Sequence, residues 1–161
     1  DELNHRKFVK LDDKPCTAVK STVRNELSEG TQGVLADESP YDFNIETNGT
    51  IIPSFHRDNV WFTYDYKTPS SLAEESMDLD IFKVSTRQDL IKFVVGSVED
   101  LDCMRRIINE HPTKAQIYVS PVWGKIEAAS IIDYMKTYNL QNVRFQLQIH
   151  KFVWDPDAKG V

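Results

Sequence analysis

From residue 43 onward the chain is a succession of short blocks, three of which alternate apolar and polar positions and two of which, beginning at residues 90 and 115, are mostly apolar runs. "FNIETNGT" (43–50), "NVWFTYDYK" (59–67), "LIKFVVGS" (90–97), "AQIYVSPVW" (115–123) and "VRFQLQIHKFVW" (143–154) are rich in β-branched and aromatic residues, and each reads as a strand. In the last block Val143, Phe145, Leu147 and Ile149 alternate with Arg144, Gln146, Gln148 and His150, which predicts a strand with one apolar and one fully polar face. Two blocks follow the helical period instead. "SVEDLDCMRRIINEH" (97–111) opens on Ser97 with Asp100 three residues on, a capping-box-like start, and carries the stripe Leu101, Met104, Ile108. "IEAASIIDYMKTYNL" (126–140) places Ile126, Ala129, Ile132 and Met135 every third residue, predicting a second helix with those four on its buried face.

Strand, helix, strand, helix, strand at this spacing predicts βαβ crossovers and an α/β fold with a mainly parallel sheet. The chain divides into residues 1–41, polar and without a sustained period, and residues 42–161, where the strand and helix signals lie. Within the first part a helix across "TAVKSTVRNEL" (17–27) follows from Val19, Val23 and Leu27, and "HRKFVKL" (5–11) is a candidate extra strand. "PSSLAEESMDLD" (69–80) is the most loop-like interruption and reads as a mobile flap.

A length of 161 residues, 40% apolar and 27% charged, fits one globular domain with a substantial core. A formal charge of −6 argues against a phosphate-backbone footprint, so no direct nucleic-acid partner is expected. No run is apolar enough to span a bilayer and no leader pattern opens the chain, so no membrane partner is expected and the cytoplasm is the expected compartment. Cys16 and Cys103 lack metal-ligand spacing and read as free thiols. The chain opens on Asp1 rather than Met, as expected of a processed product or a fragment.

A parallel strand covered on both faces should be nearly all apolar, so its polar residues ask for a reason. Asn44, Glu46 and Asn48 share one face of their strand, Thr63, Asp65 and Lys67 share another, and Ser120 ends "QIYVS". All fall toward C-terminal strand ends, the rim on which parallel α/β sheets and barrels build sites. With the glutamines and histidine of the last block they suit a polar, planar small molecule, and His150 has the chemistry of a general acid/base or a donor to a carbonyl. A solvated sheet edge is the bland alternative for any one strand. Phosphate-loop, nucleophile-elbow and zinc-protease motifs are absent from the sequence, and no catalytic or metal-ligating residue is assigned.

"IETNGTI" (45–51), "DYKTPSS" (65–71), "IKFVVGSVEDL" (91–101), "IYVSPVWGKIE" (117–127) and "VRFQLQIHKFVWDP" (143–156) with the terminal "KGV" together resemble the C-terminal two thirds of 7-carboxy-7-deazaguanine synthase, a radical SAM enzyme of the queuosine and 7-deazapurine pathway. The resemblance implies an incomplete (β/α) barrel of radical-SAM type. It implies S-adenosylmethionine, a 4Fe-4S cluster and magnesium as cofactors and 6-carboxy-5,6,7,8-tetrahydropterin as the small-molecule substrate, converted to 7-carboxy-7-deazaguanine. Carried over position by position, Glu46, Thr47, Asn48 and Gly49, with Lys67, Ser70 and Ser120, would line the S-adenosylmethionine cleft. Gln146, Gln148 and His150 would face the pterin, with the carboxylate of Val161 closing over it.

The sequence departs from the family in one decisive respect. The three cysteines of the family's CxxxCxxC-type loop are absent, as is its GGEP-like segment, so this chain alone is not expected to bind the cluster or to start radical chemistry. Two readings follow: the C-terminal portion of a synthase that works with a cluster-bearing partner chain or as a homodimer, or a cluster-free module that binds a pterin or purine or serves a structural role.

Overall fold

The computed structural model describes residues 41–158 in full and residues 7–10 by their backbone. Six strands form one sheet: β1 (Lys7–Lys10), β2 (Phe43–Thr47), β3 (Val60–Tyr66), β4 (Leu90–Val95), β5 (Gln116–Pro121) and β6 (Val143–Phe145). Every neighbouring pair is parallel and the spatial order is the chain order, β1-β2-β3-β4-β5-β6. An order without reversal is that of a barrel wall opened along one seam, whereas a doubly wound sheet reverses at a switch point. The expected α/β class and incomplete barrel are therefore the observed architecture, with β1 and β6 as the edge strands among the described residues. The segment 5–11 does furnish a strand, β1. The helix expected over 17–27 lies outside the described residues.

Between β3 and β4 run two 3₁₀ turns, Pro69–Ser71 and Glu74–Ser76, and the short helix α1 (Ile81–Val84); α2 (Val98–Glu110) follows β4, α3 (Ala128–Thr137) follows β5, and α4 (His150–Val153) follows β6. Alternation sorts the strand residues. Val60, Phe62, Tyr64 and Tyr66 of β3, Ile91, Phe93 and Val95 of β4, and Ile117 and Val119 of β5 are buried in one core with Leu101, Met104, Ile107 and Ile108 of α2 and Ile131 of α3. Tyr66 and Phe93 lie with ring centroids 4.7 Å apart across adjacent strands. At the N-terminal end of β4 the buried Asp89 accepts the Phe62 N–H at 2.7 Å and the Thr86 N–H and hydroxyl at 2.7 and 2.9 Å, which satisfies its charge inside the core.

Three expectations are corrected. The strand expected over 143–154 pairs only through Phe145, with a last rung from the Gln146 N–H to the Val119 carbonyl at 2.9 Å. Beyond it the neighbouring strand has ended at Pro121 and curled into a turn in which Lys125 N–H reaches the Val122 carbonyl, so the segment closes its own backbone bonds as α4. Ile149 is consequently 66% exposed instead of buried. In α3 the core residue is Ile131, with Tyr134 and Met135 packed against the core one turn on; Ile126 also packs against the core but precedes the helix, and Ala129 is exposed, because a strict three-residue repeat drifts off one face of a 3.6-residue helix. The segment 69–80, expected as a flap, is built of 3₁₀ turns and packs Met77 and Leu79 against the core.

Candidate functional site: the polar face and the C-terminal rim of the sheet

Opposite the helix-covered face, the half-buried strand positions are largely polar. Register places Asn44 beside Trp61, and Glu46, Thr63, Leu90 and Gln116 in one row. The next row runs Asp65, Lys92, Tyr118, Arg144 across four strands. The groups interlock: the Thr63 hydroxyl donates to Asn44 Oδ1 at 3.0 Å, Lys67 Nζ lies 2.7 Å from Asp65 Oδ2, and Arg144 Nη1 donates to Gln116 Oε1 at 2.6 Å and to the Tyr118 hydroxyl at 3.2 Å. Lys92, Gln116 and Tyr118 escaped the sequence reading because "LIKFVVGS" and "AQIYVSPVW" look apolar as runs. Two-residue spacing from Leu90 and Ser120 would have put them on this face.

The rim above these rows is formed by the turns that leave each strand. After β2, Thr47 Oγ1 accepts the Gly49 N–H at 2.9 Å, and Asn48 Oδ1 accepts the Thr50 N–H at 3.3 Å and the Thr50 hydroxyl at 2.9 Å. Both side chains thus shape the turn itself. Gly49 sits at φ +70°, and a Cβ there would approach Met77 Cε to 2.6 Å, so glycine meets both the left-handed backbone and the close packing of the 69–80 segment. After β3, Thr68 Oγ1 donates to the Val94 carbonyl at 3.1 Å and the Ser70 N–H to Asp100 Oδ1 at 2.9 Å; after β4, the Gly96 N–H donates to Asp100 Oδ2 at 2.7 Å. Near the end of β5, Ser120 is fully buried and its hydroxyl has no hydrogen-bond partner among the described residues. A buried hydroxyl without a partner is costly, which marks this end of β5 as a place where a ligand's polar group would be welcome.

The structure therefore brings Glu46, Thr47, Asn48, Gly49, Lys67, Ser70 and Ser120 to one polar face and its rim. It does not align Gln146, Gln148 and His150 as one polar strand face. Gln146 is exposed at the last rung of β6, the Gln148 carbonyl accepts the Lys151 N–H, and the exposed His150 opens α4. Val161 lies outside the described residues.

Asp100, missed in the sequence beyond its capping role, is fully buried. Burial works against its charge, but the backbone hydrogen bonds from Gly96 and Ser70, with the Ser70 hydroxyl adding to them, outweigh that effect and hold its carboxyl below the ordinary carboxylate value. Cys103 is different: burial, then the bond its thiol donates to Glu74 Oε1 at 3.1 Å, push it up to about 12. A thiol held protonated and engaged with a carboxylate does not suit an iron ligand. Among the described residues no group of three or more His, Cys, Asp or Glu side chains could hold a metal ion, and the whole sequence has two cysteines. The residues present do not fit a 4Fe-4S cluster, which needs three thiolates here.

Sheet order, polar face and rim together define an α/β chain of partial-barrel type with polar groups gathered at its strand ends. Among curated relatives it is similar to proteins named 7-carboxy-7-deazaguanine synthase from Clostridium acetobutylicum (41% identity, covering 80% of this chain and 60% of the relative), Methanospirillum hungatei (37%, covering 70% and 47%) and Chlorobaculum tepidum (32%, covering 100% and 74%). The chain belongs to the 7-carboxy-7-deazaguanine synthase family. It spans about half to three fifths of the length of the first two of these relatives. No family model and no solved structure matches it.

Proposed function

We propose that this chain forms the ligand-holding portion of a 7-carboxy-7-deazaguanine synthase, a radical SAM enzyme of queuosine biosynthesis that converts 6-carboxy-5,6,7,8-tetrahydropterin to 7-carboxy-7-deazaguanine. The buried, unpartnered Ser120 hydroxyl at the end of a half-buried polar sheet face is the observation that carries this reading. In it, Glu46, Lys67, Ser70 and Ser120 hold S-adenosylmethionine along the rim while Thr47, Asn48 and Gly49 shape the turn beside it. Gln146, Gln148 and His150 meet the pterin from the edge of the sheet. The face excludes water beneath the ligands and orients them; the cluster, with any magnesium, comes with a cluster-bearing chain. A second copy of this chain is the other proposed partner.

Two cysteines favour, as the second reading, a cluster-free module that binds the pterin or a purine without turnover. Calorimetric titration of the purified chain under anaerobic conditions, with S-adenosylmethionine and with 6-carboxytetrahydropterin, tests both. Binding of both ligands, with S-adenosylmethionine weakened by Ser120→Ala, supports the synthase reading. Pterin binding alone favours the module, and no heat from either ligand defeats both readings.

A further inference from the structure

An acidic residue three positions after a serine cap ordinarily turns back to the cap's own N–H. Asp100 turns elsewhere. Ser97 caps α2 by accepting the Asp100 N–H at 3.3 Å, while the Asp100 carboxylate spans two strand exits: Oδ2 takes the Gly96 N–H at 2.7 Å and Oδ1 takes the Ser70 N–H at 2.9 Å, thirty residues away in sequence. One buried carboxylate therefore ties the turn after β3 to the turn after β4. The bond from Thr68 Oγ1 to the Val94 carbonyl, at 3.1 Å, sits beside this tie, and Val94 is the register partner of Ser120. The loop after β5 closes on the same point, since a methyl group added at Gly96 would lie 3.6 Å from Lys125 Cβ and 3.7 Å from Ser70 Oγ and Asp100 Oδ2.

Helix stability alone does not call for this geometry, because a charge at this position favours the helix N-terminus wherever its oxygens point. What the geometry fixes is the relative placement of three rim loops around the orphaned Ser120 hydroxyl. We propose that Asp100 is a positioning residue for S-adenosylmethionine: without touching the ligand, it holds the Ser70 and Gly96 turns in the arrangement that binding needs. This rests on the reading of the rim as an S-adenosylmethionine site.

The test compares Asp100→Asn with Ser97→Ala in the full chain. The second variant removes the cap of the same helix and leaves the carboxylate's two bonds in place. Two readouts are taken at a temperature where all proteins are folded: amide hydrogen exchange at Ser70 and Gly96, and calorimetric affinity for S-adenosylmethionine. The expected result is at least tenfold faster exchange at both amides and at least tenfold weaker binding in Asp100→Asn only. Affinity within twofold of wild type in Asp100→Asn overturns the positioning role, and so does an equal loss in Ser97→Ala. A wild-type chain that binds no S-adenosylmethionine overturns the underlying ligand reading and the positioning role with it, and the wild-type titration alone identifies that case. Should Asp100→Asn fail to fold, Gly96→Val takes its place, because a Cβ alone would rest at ordinary contact distance from Lys125, Ser70 and Asp100 while the two methyl groups beyond it must push into the junction. Weaker binding at unchanged melting temperature then supports the proposal, and unchanged binding overturns it.

Discussion

At the scale of single residues, environment decides which ionisable groups are available for chemistry. Asp100 has its folded pKa held below the ordinary carboxylate value by the hydrogen bonds that outweigh its burial. A group depressed in this way contributes stability that is complete above its unfolded pKa, near 3.8, and is lost as pH falls through the lower folded value. Asp100→Asn should therefore cost about 1.5–3 kcal/mol at pH 7, the usual worth of hydrogen bonds to a charged group, and less at pH 3. Urea unfolding of both proteins at the two pH values checks this, and a difference that stays constant with pH would refute it. Cys103 goes the other way. With its thiol raised to about 12 and buried, a Cys16→Ser variant should react with a thiol reagent at pH 8 at least ~100-fold more slowly when folded than in urea. Labelling at the rate of a free thiol would show that the Glu74 contact and the burial around it do not persist in solution.

At the scale of elements, the deepest packing lies where alternating strands meet α2. Phe93 is fully buried and paired with Tyr66, so Phe93→Ala should cost about 3–5 kcal/mol in chemical denaturation. A loss below about 1 kcal/mol would mean that this core collapses readily around the gap. Elements with such strong local signals were legible: β2 and β3 from their alternation, β4 and β5 as mostly apolar runs, and α2 from Ser97 and its apolar stripe. The elements that eluded the sequence depend on neighbours. Gln146 to Ile149 alternate as well as any strand, yet a strand exists only while a partner runs beside it, and β5 ends at Pro121. The inward face of α3 was misassigned because a three-residue repeat was followed where the sheet selects Ile131. The candidate site divides the same way. Polar residues at strand ends, such as Lys67 and Ser120, stood out against apolar surroundings. Asp100 acts across thirty residues on Ser70, and no local pattern carries that distance.

At the scale of the whole molecule, the open sheet ends on an apolar strip at its β6 side. Leu147, Ile149, Phe152, Val153 and Trp154 are all exposed, and Trp123 meets Phe152 edge-on at 4.8 Å. A groove lined by Ile132, Met135, Leu140 and Val143 lies at β6, the last strand of the sheet among the described residues. Exposed apolar surface at an edge strand favours association. A second copy of this chain, the partner proposed above, is the occupant this strip is tested with. A two-fold axis lays the strip of one copy against the same strip of its mate. Sedimentation equilibrium should then show a concentration-dependent dimer. Phe152→Glu should raise its dissociation constant at least tenfold, about 1.4 kcal/mol, by placing a carboxylate in the apolar centre of the contact. A chain that stays monomeric at all concentrations would defeat the two-fold model. If that monomer then bound a cluster-bearing synthase fragment through the same strip, with the binding lost in Phe152→Glu, the strip would be the seam between two parts of one enzyme.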